Sequence, residues 1–135
     1  MTRVEHIGIA VKNLADSIPL FEKLLNVQHY KVESVASEEV NTAFLLQSGA
    51  KLELLESTVP DGIIAKYIER KGEGMHHIAF EVDDIIAEMS RLKEAGFVLL
   101  SNEPKKGADN KLVCFVHPKD TNGLLIELVM DINKK

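Results

Sequence analysis

The sequence has a single cysteine, no long apolar run and no excess of positive charge. Cys114 alone cannot form an intramolecular disulfide, which is consistent with a reducing compartment. No apolar stretch approaches the roughly 20 residues that a membrane-spanning helix needs. The charged N-terminus also lacks the apolar segment of a signal peptide. We therefore expect a soluble cytoplasmic protein with no membrane partner.

The excess of acidic residues argues against a nucleic-acid partner. The formal net charge is −5, whereas nucleic-acid binding generally requires a basic face. We therefore expect no nucleic-acid partner. A Gly-rich phosphate loop of the Walker type is also missing. An anionic small molecule stays possible, because a local group of lysines can outweigh the overall sign.

The remaining composition is that of an ordinary globular protein. A chain of 135 residues, 45% hydrophobic and 27% charged, is long enough to bury a core and short enough for one domain. Cys114 lies in the apolar run 112–116, so we interpret it as a buried structural thiol rather than a nucleophile.

The chain contains one internal repeat. Residues 6–11 (HIGIAV) match residues 77–82 (HIAFEV), and both are rich in strand-forming residues. The repeat implies that two similar modules follow each other along the chain.

Helical patterns follow both repeated strands. Apolar residues at spacings of three or four predict helices over residues 13–26 and 83–95. Pro19 is compatible with the first helix if it lies in the opening turn, and Gly96 is the expected stop of the second. The pattern of residues 60–71 predicts an additional helix that connects the two halves of the chain.

Two further strands follow in each half. Residues 40–47 and 51–55 flank a turn at Ser48-Gly49 and predict a hairpin. In the second half, residues 111–117 and 124–130 flank a turn-rich segment.

These elements predict an α+β fold. We expect a single domain over residues 1–135, built from two βαβββ modules. The modules cover about residues 1–58 and 74–131, and the connecting helix covers about residues 60–71.

The last strands of the two modules also match. Residues 52–55 (LELL) correspond to residues 126–129 (IELV), and each places one carboxylate inside an apolar strand. Side chains alternate across a strand, so Glu53 and Glu127 point away from their apolar neighbours. Taken singly, each glutamate could face solvent, and His6 could be an ordinary strand histidine.

The combined pattern favours a metal site. Each module supplies one histidine on its first strand and one glutamate on its last strand. Two imidazoles and two carboxylates suit Co²⁺, Mn²⁺, Ni²⁺, Fe²⁺ or catalytic Zn²⁺, whereas a closed structural zinc site typically uses cysteines. The predicted ligands are His6, Glu53, His77 and Glu127.

The remaining histidines do not fit the repeat. His76 points to the opposite strand face from His77, so we expect it to pack or to support a neighbouring group. His29 and His117 have no counterparts in the other module, and structural or exposed roles are expected for both.

Three segments carry a resemblance to a known family. They are residues 6–11, residues 74–85 (GMHHIAFEVDDI), and residues 115–128 with their HPKD and GLLIEL sequences. Over nearly the whole chain they resemble the vicinal-oxygen-chelate superfamily, and within it the methylmalonyl-CoA epimerases. The doubled histidine and the His-Pro-Lys segment are the more specific epimerase signals.

The resemblance implies a glyoxalase-like fold, in which paired modules form a cupped mixed sheet around one divalent metal ion. It implies a homodimer that interconverts the C2 epimers of methylmalonyl-CoA through a metal-stabilised enolate. Its ligands correspond to His6, Glu53, His77 and Glu127. Some family members have Gln where this chain has Glu53. Co²⁺ is our first choice of ion, with Mn²⁺, Ni²⁺, Zn²⁺ and Mg²⁺ as alternatives.

The resemblance also implies a catalytic role for Glu127, as a base in addition to a metal ligand. A second base in some epimerases corresponds to Thr42, which is not a competent base. Glu38, Glu39 or a metal-bound water are alternatives, and solvated loop residues are the simpler interpretation of the two glutamates.

An acyl-CoA substrate would require cations for its phosphates. Four late lysines are candidates, although a solvated surface role is the simpler interpretation for any single one. They are Lys105, Lys106, Lys111 and Lys119.

Two other functions are compatible with the sequence. Glyoxalase I uses a similar His/Glu/His/Glu set on the glutathione adduct of methylglyoxal. A non-enzymatic protein that sequesters bleomycin-type drugs shares the scaffold but generally lacks the ligands. Fold alone cannot separate these functions.

Overall fold

The computed structural model describes residues 1–47 and 49–133, which divide into two compact units. Among the described residues, the first unit comprises those within 6–76, and the second comprises residues 1–5 together with residues 77–133. The N-terminal residues lie with the second unit because the Thr2 N–H donates to the Glu81 carbonyl at 2.9 Å. Arg3 Nε also pairs with the Glu81 carboxylate at 3.1 Å.

The first unit has the predicted order of strand, helix and three strands, followed by the connecting helix. Its strand β1 begins shortly before residue 6. The elements are β1 Arg3–Ala10, α1 Leu14–Leu25, β2 Lys31–Val35, β3 Val40–Gln47, β4 Ala50–Ser57 and α2 Ile63–Lys71.

The second unit repeats the same order. Its strand β5 begins just before residue 77. The elements are β5 Gly74–Glu81, α3 Ile85–Glu94, β6 Lys105–Lys106, β7 Lys111–Val116 and β8 Ile126–Asp131.

The two units have the same sheet topology. In the first, the order is β2-β3-β4-β1, with β1 parallel to β4 and the other pairs antiparallel. In the second, the order is β5-β8-β7-β6, with β5 parallel to β8. The predicted α+β class, mixed pairing and βαβββ order are confirmed.

Helix α1 covers one face of the first sheet. Leu14 packs with Ala43, Leu45 and Leu54, all of which are buried. Because side chains alternate along a strand, Thr42, Phe44 and Glu53 lie on the other face.

Helix α3 covers one face of the sheet in the second unit. Ile85, Met89 and Leu92 pack with Leu128 and with Cys114, which is 0% exposed. The prediction that Cys114 is a buried structural residue is confirmed. In each unit the helix therefore covers one sheet face and leaves the other face to the predicted site residues.

Side-chain and backbone caps lie at the ends of helices α1 and α3. Asn13 Oδ1 accepts a hydrogen bond from the Asp16 amide at 2.8 Å at the start of α1, and Asn26 ends that helix in the left-handed conformation. Gly96, with a φ of 97°, follows α3 as predicted.

The expectation for Pro19 is wrong. It lies inside α1, beyond the first turn, where it cannot donate the usual backbone hydrogen bond. Packing of neighbouring Ile18 and Phe21 against the sheet core offsets this local loss.

The predicted first hairpin is present, with β3 and β4 antiparallel up to the pair Gln47 and Ala50. Ser48 of the predicted turn lies outside the described residues, whereas Gly49 has a φ of 83°, a conformation that favours glycine. Over residues 1–47 and 49–133, no helix is long and apolar enough to cross a bilayer.

Candidate metal centre

The first unit brings together two of the predicted ligands. His6 on β1 and Glu53 on β4 lie on the face that α1 leaves uncovered, with His6 Nδ1 3.2 Å from Glu53 Oε2. Gly8 is the register partner of Glu53. Gly8 has no side chain, so the β1 side chain that lies beside the carboxylate is that of His6.

The second unit brings together the other two. His77 on β5 has its Nε2 3.2 Å from Glu127 Oε1 on β8. The register partner of Glu127 is Ala79, another small residue, in the place that Gly8 occupies in the first unit. The repeat in the sequence therefore produces the same local arrangement twice.

Burial decides between the two interpretations of these glutamates. His6, Glu53 and His77 are each 5% exposed, and Glu127 is 6% exposed. The interpretation of Glu53 and Glu127 as solvent-facing residues is therefore wrong. A buried carboxylate is costly unless a cation or hydrogen bonds compensate its charge. Imidazole nitrogens beside buried carboxylates form a donor set that fits a divalent transition ion.

An aromatic residue accompanies each pair, a feature that the sequence analysis missed. Phe44 is the register partner of Glu53, and Phe115 is the register partner of Glu127. The Phe115 ring lies edge-on to His77, with centroids 5.7 Å apart. The signal was available, because both phenylalanines occupy equivalent places in the two modules.

Further polar residues share the site face of the first sheet. Thr42, 1% exposed, lies one alternation from Phe44. Lys51, 9% exposed, is the register partner of His6. Lys51 was not predicted as a site residue, although alternation from Glu53 along β4 places it on this face.

The other histidines lie away from the His–Glu pairs. His76 packs edge-on against Tyr67, with ring centroids 4.7 Å apart, so the prediction that it packs is confirmed. His29 Nδ1 lies 2.8 Å from Glu22 Oε2, and this hydrogen bond lowers the pKa of Glu22. His117 Nδ1 accepts from the Lys119 amide and caps a short 3-10 turn, as expected for a structural residue.

The candidate second bases occupy a loop. Glu38 ends a short 3-10 turn before β3 and is partly buried. Glu39 is exposed and left-handed, with a φ of 55°. Glu33 on β2 is the register partner of Thr42 and was not considered in the sequence analysis.

The four candidate phosphate-binding lysines belong to the second unit. Lys105 and Lys106 are exposed on the short strand β6. Lys111 Nζ lies 3.6 Å from Asp131 Oδ2, and Lys119 lies in the 3-10 turn after β7. These positions are compatible with phosphate binding and with ordinary solvation.

Comparisons with known proteins identify the family. The model of the Glyoxalase/Bleomycin resistance protein/Dioxygenase superfamily matches residues 5–115. An ethylmalonyl-CoA/methylmalonyl-CoA epimerase of Cereibacter sphaeroides is 40% identical, over 93% of this chain and 96% of that protein.

Solved structures agree with this assignment. Methylmalonyl-CoA epimerase from Mycobacterium tuberculosis is 30% identical, with a TM-score of 0.91 over 96% of this chain and 87% of its own. A variant of Streptomyces coelicolor methylmalonyl-CoA epimerase, in complex with 2-nitronate-propionyl-CoA, is also 30% identical. Its TM-score is 0.93, and the match covers 100% of this chain and 98% of that one. The chain belongs to the glyoxalase/bleomycin resistance protein/dioxygenase superfamily.

Proposed function

We propose that this protein is an epimerase that interconverts the C2 epimers of methylmalonyl-CoA. The observation that carries the proposal is the buried His–Glu pair found at the same place in each unit. Relatives named as epimerases of this substrate match nearly the whole chain at 30–40% identity, which supports the same activity here.

We infer that His6, Glu53, His77 and Glu127 together hold one divalent ion, with Co²⁺ as the first choice. A single ion held by all four residues is consistent with the expectation of one domain over residues 1–135. The ion would supply Lewis-acid stabilisation of negative charge that develops on the thioester. The buried imidazoles and carboxylates meet the chemical requirements for such ligands.

Glu127 is the proposed base. The C2 proton is weakly acidic because it lies between a thioester and a carboxylate, so its removal needs a positioned carboxylate. Glu127 is buried between His77 and the strand that carries Phe115, so few alternative orientations are open to it. We assign no residue to the second proton transfer, since the buried Thr42 hydroxyl is not a base at neutral pH.

Solvent exchange at C2 tests this function. Purified, Co²⁺-loaded protein is incubated with one epimer of methylmalonyl-CoA in deuterated water, and deuterium incorporation is followed by mass spectrometry. We expect deuterium at C2 and conversion to the other epimer. A metal-loaded protein that incorporates no deuterium would contradict the proposal.

Two matched variants separate metal binding from proton transfer. Glu127→Gln should keep the metal, because the amide oxygen can still bind it, but should lose C2 exchange. Glu53→Gln should keep both the metal and the exchange. If Glu127→Gln exchanges deuterium as fast as the unchanged protein, Glu127 is not the base.

The same assay tests the closest alternative. The glutathione hemithioacetal of methylglyoxal is offered under identical conditions, because the ligand set alone cannot separate glyoxalase I from an epimerase. Turnover of the hemithioacetal alone would favour glyoxalase activity. A protein that binds neither metal nor substrate would favour sequestration of another small molecule.

An acyl-CoA ligand and a homodimer complete the proposal. The S. coelicolor relative was solved in complex with an acyl-CoA analogue, which supports CoA thioester binding by this chain. Light scattering after size exclusion measures the oligomeric state, and we expect twice the mass of the 15.0 kDa chain.

A further inference from the structure

Lys51 is a buried cation beside the first His–Glu pair. It is the register partner of His6 on the neighbouring parallel strand, and it precedes Glu53 by two residues on β4. Both relations place it on the face that carries the pair. The residue is 9% exposed, whereas lysines normally keep their ammonium group in water.

The ammonium group of Lys51 lies over an aromatic ring on the same face. Its Nζ is 5.8 Å from the centroid of Phe44, which is fully buried and directly opposite Glu53. A cation held over an aromatic face gains some stabilisation there. Lys51 is therefore directed along the sheet toward Phe44 instead of outward to solvent.

Lys31 supplies a natural comparison from the edge strand β2. Its Nζ lies 4.6 Å from the centroid of Phe44 and 3.6 Å from Glu33 Oε1. Its side chain is 38% exposed. The two lysines approach the same ring, but only Lys51 is buried next to the His–Glu pair.

We propose that Lys51 binds the free carboxylate of the substrate's acyl group, so that the site selects thioesters of dicarboxylic acids. The proposal rests on the proposed function, which places the acyl group at the His–Glu pairs. A buried ammonium forms a strong charge-assisted hydrogen bond with a carboxylate. The acyl carboxylate distinguishes methylmalonyl-CoA from propionyl-CoA, whereas the phosphates of CoA are common to both.

Binding of these two thioesters tests the assignment. Dissociation constants for methylmalonyl-CoA and propionyl-CoA are measured by calorimetry with the full-length protein, with and without Co²⁺. Lys51→Met should weaken methylmalonyl-CoA binding by about 10- to 100-fold, the usual loss for a hydrogen bond to a charged group. Propionyl-CoA binding should change by less than about twofold, since it lacks the group that the lysine recognises.

Matched variants control for packing and surface charge. Lys31→Met removes the exposed lysine near the same ring and should leave both affinities unchanged. Lys51→Arg should retain the preference for methylmalonyl-CoA because it keeps the charge. Lys51→Gln, which keeps a polar group, should lose that preference and provides a second neutral variant if Lys51→Met does not fold.

The outcomes separate this assignment from the proposed function. If neutral variants at Lys51 bind methylmalonyl-CoA like the unchanged protein, or lose both thioesters equally, the assignment is overturned. Equal loss would mean that Lys51 serves the CoA portion or the structure. A preference that depends on Lys51, in a protein that shows no C2 exchange, would support the assignment and contradict only the epimerase proposal.

Discussion

Replacement of the two adjacent histidines on β5 tests the candidate metal centre most directly. His77→Ala removes an imidazole whose Nε2 lies 3.2 Å from Glu127 Oε1 in a buried pair. His76→Ala removes the same kind of side chain one residue earlier, where it packs against Tyr67. The two changes are chemically identical, so only their positions distinguish them.

The structure leads to different magnitudes for the two variants. Loss of a polar contact to a buried charged group costs about 1.5–3 kcal/mol, whereas loss of an aromatic edge contact costs about 0.5–1.5 kcal/mol. With a urea dependence near 2 kcal/mol/M, the unfolding midpoint of His77→Ala should fall by about 0.8–1.5 M. That of His76→Ala should fall by less than about 0.8 M. Loss of a group that only supports a metal ligand typically lowers metal affinity by about 10- to 100-fold. The metal affinity of His77→Ala should fall by more than this, because His77 is itself a proposed ligand.

Urea titrations without metal and competition with a chelator measure both quantities. The metal content of each purified protein is determined by mass spectrometry. If His77→Ala binds the metal as tightly as the unchanged protein, His77 is not a ligand. If His76→Ala alone loses the metal, the assignment of sheet faces on β5 is refuted.

Three further predictions concern stability and ionisation. Leu54→Ala, at a fully buried position, should lower the free energy of unfolding by about 2–5 kcal/mol, whereas Leu24→Ala, at 71% exposure, should change it by less than about 0.5 kcal/mol. Equal urea midpoints for these two variants would contradict the assigned core. Asn13→Ala should cost about 0.5–2 kcal/mol, because it removes the 2.8 Å side-chain cap of α1, and an unchanged midpoint would argue against the cap. His29→Ala should raise the pKa of Glu22 toward the ordinary glutamate value of 4.5, measured by carboxyl NMR, since the His29 hydrogen bonds hold it below that value. Because the folded pKa is lowered, this contribution to stability is present above pH 4.5 and is lost as the pH falls through the folded pKa.

Local order along the chain was readable from the sequence. Strand and helix periods and the stop at Gly96 depend on residues a few positions apart, and the structure agrees with them. The prediction for Pro19 was wrong. Packing of the apolar face of α1 against the sheet compensates the local cost of a proline inside a helix.

The repeat indicated that two histidines and two glutamates matter, but not how they pair. His6 lies beside Glu53 because β1 and β4 are parallel neighbours, and His77 lies beside Glu127 because β5 and β8 are. Neighbouring parallel strands are joined only through long connections. A local sequence pattern therefore does not indicate which strands pair.

The sequence by itself determined the two modules, their elements and the residue types of the candidate centre. Only the tertiary structure decided that Glu53 and Glu127 are buried and that Phe44 and Lys51 stand beside the first pair. The physical reason is that alternation assigns a side chain to a sheet face, whereas burial depends on what other parts of the chain place against that face.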